Sequence, residues 1–291
     1  GLAAAGAPAA ARVPKRGPHA LREGAARALF GTAAALSIAA VALICLFLLA
    51  NGVPAMAEIG LPEFLFGTTW CPANDLYGIF PMSVGSLCVT AGAMIVGVPG
   101  GLLTALYLSR FARGRTGSFL RSGVELLAGI PSVVYGFFGL VIIVPFVRLL
   151  GPGTGLSVLA ASLILGIMIL PTVITVAQSA LDAVPARYYE GALALGVDHE
   201  HAVFKVVAPA AASGIMAAIV LGLGRAIGET MAVVMVAGNM PIIPDSLLSG
   251  VRTMTANIVL EMGYAADLHR EALIATGVVL FVFILLITML L

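Results

Sequence analysis

Charge is scarce in this chain: 10% of its 291 residues are Asp, Glu, Lys or Arg, against 60% that are hydrophobic. A soluble domain carries roughly 25% charged residues. A water-facing globule is therefore excluded, and a mean hydropathy of +1.10 marks an integral membrane protein. The net charge of +1 leaves no basic surplus of the kind that nucleic-acid binding draws on. Lysine is almost missing: Lys15 and Lys205 are the two, and neither follows a glycine in a phosphate-binding loop pattern, so the chain has no P-loop of its own. Cys45, Cys71 and Cys88 are too few and too scattered for a disulfide framework and are expected to be packing residues. His19, His199, His201 and His269 form no metal pattern, since two residues apart on a helix His199 and His201 point away from each other, and none is assigned a catalytic role.

What is present is long apolar runs. A spanning helix needs about 20 mostly apolar residues, and the sequence offers six candidates at roughly 29–50, 82–108, 124–147, 155–181, 208–238 and 272–291. The predicted fold class is an all-α integral membrane protein with six transmembrane helices. Its expected organisation is an N-terminal segment over 1–27, disordered in its Ala/Gly/Pro-rich start, a first span with an outer loop over 28–81, and a core of five spans over 82–291.

Orientation follows the basic residues. Arg12, Lys15, Arg16, Arg22 and Arg27 precede the first span, Arg110, Arg113, Arg115 and Arg121 follow the second, and Arg187 and Lys205 follow the fourth. The opposite loops hold Arg148, Arg252 and Arg270, and the stretch from Asn51 to Pro81 has no Lys or Arg. The positive-inside rule places the N-terminus and the 182–207 loop in the cytoplasm. Ala55-Met56-Ala57 looks like a signal cleavage site, but the preceding apolar run is longer than a signal core, so a retained helix is expected. Leu291 falls inside an apolar run, and the natural terminus is expected a little further on.

Between the fourth and fifth spans lies a polar stretch that hydrocarbon would not accept. Pro185 suits a helix opening, Gly196 a left-handed stop, and Asp198 a cap for a second short helix whose Glu200 favours the N-terminal dipole. Tyr188, Ala192 and Leu195 recur at i, i+4 and i+7 as one apolar stripe. From the residues alone, such a surface either lies against the membrane or inserts into a partner's groove.

The spacing here carries a resemblance. Glu190-Gly191-Ala192, three residues, Gly196, nine residues, then Val206-Val207-Ala208-Pro209 is similar to the cytoplasmic loop of ABC-transporter importer permeases, with Gly191, Val206 and Ala208 departing from the family's Ala, Ile and Leu. The resemblance implies that Arg187, Tyr188, Glu190, Gly191, Ala192, Leu195 and Gly196 form a coupling helix seated on an ATPase subunit, within a loop spanning 182–209 of a MetI-like architecture. ATP and Mg2+ would then be bound by that partner. No cofactor is expected on this chain, which would not itself be an enzyme.

Arg225 and Glu229 lie in the predicted fifth span, where a charged side chain costs roughly 2.5–3.5 kcal/mol on insertion scales. Their spacing puts them on one stripe of a continuous helix, able to pair, and Gly224 and Gly228 form an adjacent face for another helix. Either the pair only fixes packing, or the guanidinium offers its planar fork to a tetrahedral oxyanion while Glu229 accepts a hydrogen bond from a protonated phosphate. Pro99, Pro131, Pro145 and Pro171 interrupt spans, and Pro131 with Ser132 and Tyr135 is the best second candidate for a pathway lining.

Three motifs sharpen the resemblance: Gly129-Ile130-Pro131-Ser132-Val133-Val134-Tyr135-Gly136, Gly224-Arg225-Ala226-Ile227-Gly228-Glu229-Thr230-Met231-Ala232-Val233, and Thr255-Ala256-Asn257-Ile258-Val259-Leu260-Glu261-Met262. They look like the phosphate-specific permease subunits of these importers, the PstC family, rather than the sister PstA subunits. The resemblance implies a half-pore in a bacterial cytoplasmic membrane, with Arg225, Glu229 and Thr230 along the phosphate path. It also implies a PstA-like sister subunit, a PstB-like ATPase dimer and an extracytoplasmic PstS-like binding protein facing the Asn51–Pro81 stretch. Permeases for sulfate or molybdate, and a membrane scaffold without transport, are the alternatives.

Overall fold

The computed structural model describes residues 18–112 and 114–290. The N-terminal stretch expected to be disordered, with Arg12, Lys15 and Arg16, lies outside the described residues, as do Arg113 and Leu291. Two compact units divide between Phe47 and Leu48.

The first helix, α1 (Pro18–Ile59), passes through Pro54 and continues beyond its predicted end at residue 50. None of its most apolar window is buried. Then come α2 (Leu61–Phe66), a hairpin of β1 (Trp70–Cys71) and β2 (Leu76–Tyr77) paired antiparallel, and α3 (Phe80–Leu106), which runs on as a π turn to Phe111. The chain continues through α4 (Gly114–Gly129), α5 (Ser132–Phe138), α6 (Val144–Arg148) and α7 (Val158–Asp182). The remaining elements are α8 (Ala186–Ala194), α9 (His199–Ala202), α10 (Ala208–Ala210), α11 (Ala212–Gly228), α12 (Met231–Val236), α13 (Met254–Glu261) and α14 (Asp267–Leu290).

Among the described residues four helices are long and apolar enough to cross a bilayer, and counting two bent pairs as one span each gives six. The expected number is thus met only with two broken spans. The predicted span 124–147 bends by 97° between α4 and α5, and the helix entering α11 bends by 71° at Ala211. The predicted span 208–238 is interrupted again at Glu229 and Thr230. Of the four interrupting prolines, Pro99 and Pro171 sit inside unbroken helices, Pro145 opens α6, and Pro131 stands at a true break.

The core follows the longest helices. α3 lies along α7, where Val89 and Ala93 meet Ala161, Leu165 and Ile169, and the Ser162 hydroxyl donates to the Val89 carbonyl at 3.2 Å, so its burial leaves no unmet polar group. At the end of α7 that leads into α8, Leu108, Ala177, Leu181, Val184 and Val207 form a second cluster. At the opposite end the Asn51–Pro81 stretch, expected to be an outer loop, is folded. Phe64, Trp70, Tyr77 and Ile79 bury themselves against Met254, Ala272 and Leu273, because aromatic side chains of that size gain too much from burial to stay in water.

Candidate functional site

Arg225 occupies the last turn of α11, where a cation complements the helix dipole. It is exposed on the surface of the chain, and its Nη1 donates to the Thr172 hydroxyl of α7 at 3.2 Å. No ion pair among the described residues includes it. Glu229 is therefore not its partner. The single-helix stripe that would have paired them does not exist, because Glu229 leaves α11 with an extended backbone at φ −70°, ψ 135°.

Glu229 instead serves the break itself. Its carboxylate accepts from the Ala232 backbone N–H at 3.2 Å, covering an otherwise open donor in the first turn of α12, and its carbonyl accepts from the Thr255 hydroxyl at 3.0 Å. Thr230 lies in the break, its hydroxyl near the Gly228 carbonyl at 3.4 Å. Gly224 and Gly228, expected to receive a neighbouring helix, meet nothing within 4 Å of where a Cβ would stand.

The other break is built by Pro131, which caps α5 in extended conformation and whose ring disfavours a helical Ile130 before it. Ser132 is the first residue of α5. Tyr135 is buried, and its hydroxyl donates to the Leu127 carbonyl at 2.8 Å, clasping the bend from within. The two breaks are brought together, because Gly136 of α5 packs directly on α12, where a Cβ would stand 2.9 Å from the Ala232 Cα. Of the residues predicted to line a path, Arg225 has the exposed, ion-pair-free guanidinium, while Pro131, Tyr135 and Glu229 shape the backbone around it.

The polar handle folds as its local signals require. Pro185 caps α8, and after α8 the Gly196 N–H bonds the Leu193 carbonyl and the Val197 N–H the Ala192 carbonyl, at 2.9 and 3.2 Å. That is a Schellman stop, and Gly196 supplies its left-handed residue at φ +85°. Asp198 caps α9, accepting from the His201 N–H at 2.9 Å and lying 2.7 Å from the His201 ring nitrogen. These bonds, the backbone one first, hold the Asp198 carboxyl below its ordinary value. The Tyr189 hydroxyl meets His199 Nδ1 at 2.7 Å, and the Phe111 ring stands edge-on to His199 at 4.7 Å, so His199 joins α8 and α9 to the end of α3. Arg187, Tyr188, Glu190, Gly191, Leu195 and Gly196 are exposed, whereas Ala192 faces inward at 7% exposure. The predicted stripe is thus divided: Ala192 anchors the helix, and Tyr188 and Leu195 stand free.

Two features escaped the sequence. Thr172, the partner of Arg225, belongs to a polar line at 172, 175, 179 and 182 along one face of α7, a period that was there to be counted. At the other end, Glu261 accepts from Arg252 at 2.6 Å and Trp70 Nε1 at 2.8 Å, and lies 2.9 Å from His269 Nε2. His269 thus belongs to this cluster. Trp70 and Glu261 lie 191 positions apart, which no local pattern reveals.

Residues 97–291 match the family model of the binding-protein-dependent transport system inner membrane component. The chain is 37% identical over 272 residues to the probable ABC transporter permease protein YqgH of Bacillus subtilis, covering 90% of this chain and 88% of that protein. It is 33% identical to the phosphate transport system permease protein PstC of Mesorhizobium japonicum, covering 82% of this chain and 79% of the relative. Against PstC 1 of Mycobacterium tuberculosis it is 35% identical, over 74% of this chain and 71% of the relative. An inward-facing structure of the MetNI methionine ABC transporter shares the fold, with a TM-score of 0.54 at 21% identity over 73% of this chain and 90% of that one. With two thirds of its length under the family model and relatives above the 30% level across most of both chains, this protein belongs to the binding-protein-dependent transport system inner membrane components of ABC importers.

Proposed function

We propose that this chain is one pore-forming permease subunit of an ATP-driven importer of inorganic phosphate. The observation that carries the reading is Arg225: an exposed guanidinium without an ion-pair partner among the described residues, on a helix whose apolar neighbours belong in hydrocarbon. Such a charge faces a water-filled path or a partner rather than lipid. Its fork suits a tetrahedral oxyanion, and the relatives named as phosphate permeases support phosphate as that anion.

A PstA-like sister subunit would complete the pore around Arg225, since the open face at Gly224 and Gly228 has room for it. A PstB-like ATPase dimer, binding ATP and Mg2+, would receive Tyr188, Glu190 and Leu195, and a PstS-like protein would deliver phosphate at the opposite end. The chain would lie in the cytoplasmic membrane with its N-terminus and α8 on the cytoplasmic side. The capped, stapled handle transmits a push as a nearly rigid body, because the α8–α9 turn is fixed by its own hydrogen bonds and by His199. That push would reorient α11 and the paired breaks, opening Arg225 to one side and then the other.

Uptake of radiolabelled phosphate by the reconstituted complex tests the reading. Loss of a charge-assisted hydrogen bond of roughly 1.5–3 kcal/mol predicts that Arg225→Ala lowers uptake at subsaturating phosphate by about tenfold or more. Undiminished uptake removes Arg225 from the path.

A further inference from the structure

Below Arg225 a polar line descends α7. Thr172, Thr175, Ser179 and Asp182 recur at i, i+3, i+7 and i+10, one face of a helix otherwise rich in Leu, Ile and Val. Thr175, Ser179 and Asp182 are exposed on the chain's surface, with Asp182 accepting from Ser109 and Gln178, and such a polar face suits a wet lining. At 1.5 Å of rise per residue, Ser179 lies roughly 10 Å from Thr172, on the side of α8. There α4 leans on α7, and with Leu108 of the π turn after α3 the two border an open cleft of about 190 Å3 lined by Arg121, Val124, Glu125, Thr175, Gln178 and Ser179.

The chemistry of this cleft is that of a pausing place. Arg121 spends one donor on the Leu108 carbonyl at 3.0 Å, which fixes its stem and leaves other N–H groups of the fork without an assigned acceptor. Thr175 and Ser179 donate their hydroxyl protons back into their own helix at 2.7 and 2.8 Å, so their oxygens present lone pairs and wet the wall without gripping an anion. Glu125, four residues after Arg121 and in the same cleft, enters no ion pair among the described residues. A cation draws an oxyanion in, and a carboxylate beside it shortens the stay.

We propose that this cleft is a second oxyanion station on the α8 side of Arg225, in which Arg121 receives the anion and Glu125 promotes its release. The proposal rests on the phosphate-import reading and names the residues that set departure rather than entry.

The test uses the complete complex with its sister and ATPase subunits, free of nucleotide for binding and in proteoliposomes for transport. Bound 32P-phosphate is read by scintillation proximity. Arg121→Gln is expected to weaken the weaker of two binding components by about tenfold, and Glu125→Gln to tighten it by a similar factor, the effect of one charge. Both variants lower kcat for uptake and leave KM unchanged, because entry past Arg225 is untouched. Arg121→Lys, which keeps the charge, retains most of the binding. A helix-packing role alone would move neither variant's affinity in opposite senses. Binding changed in the same sense by both variants, or by neither, overturns the station while wild-type uptake stands. An unmodified complex that moves 35S-sulfate and no phosphate overturns the phosphate reading and this proposal with it.

Discussion

Two arginines of the molecule live under opposite rules. Arg252 is nearly buried, its side chain 16% exposed, and every neighbour answers it: Glu261 at 2.6 Å, Asn257 at 3.0 Å and the Asn239 carbonyl at 2.9 Å. Glu261 in turn holds Trp70 and His269, so one carboxylate ties the hairpin, α13 and α14 together. Arg225 is exposed and held by a single hydroxyl. A buried charge with a complete set of partners works for the fold, whereas a charge kept open inside a span works for something that is not yet there.

That contrast can be broken experimentally. The largest effect is expected from Glu261→Ala, which strands Arg252 in a buried site and should cost about 3–5 kcal/mol of stability, read as a lowered melting temperature of the detergent-solubilised chain. A loss below about 1 kcal/mol would move the cluster from structure to function. Arg225→Ala is expected to do the reverse, leaving stability within about 0.5 kcal/mol while uptake falls. Parallel losses in both measurements would make Arg225 a second Arg252. The smallest effect is at Asp198, whose carboxyl is held below its ordinary value of 3.8 in the folded state. A depressed folded value means that the cap is fully present at neutral pH and is lost only as pH falls below the ordinary value and through the lower folded one. The protection factor of the His201 amide against hydrogen exchange should therefore be flat from pH 7 to pH 5 and drop in stronger acid. A decline already at pH 6 would rule out the Asp198 carboxylate as the group that titrates.

How much could be read beforehand depended on distance along the chain. The handle was legible because Pro185, Gly196 and Asp198 each act on residues within four positions, and cap chemistry is decided there. The breaks were not. Pro99, Pro131 and Pro171 look alike in an apolar run, yet α3 and α7 stay whole where they pack along each other, and the chain turns at Pro131, where Tyr135 clasps Leu127 and Gly136 admits α12. Helical spacing left Glu229 able to pair with Arg225, but the helix that spacing presumed ends one residue before Glu229.

The sequence by itself determined the membrane class, the approximate span positions, the handle with its stop and cap, and the family, since each rests on composition or on contacts between near neighbours. Tertiary structure alone decided that two spans are broken and meet at their breaks, that Arg225 and Glu229 have separate duties, and that Trp70, Arg252, Glu261 and His269 form one cluster. The physical reason is that a buried polar group must find a partner wherever the packed chain offers one, and the nearest partner in space is often far away in sequence.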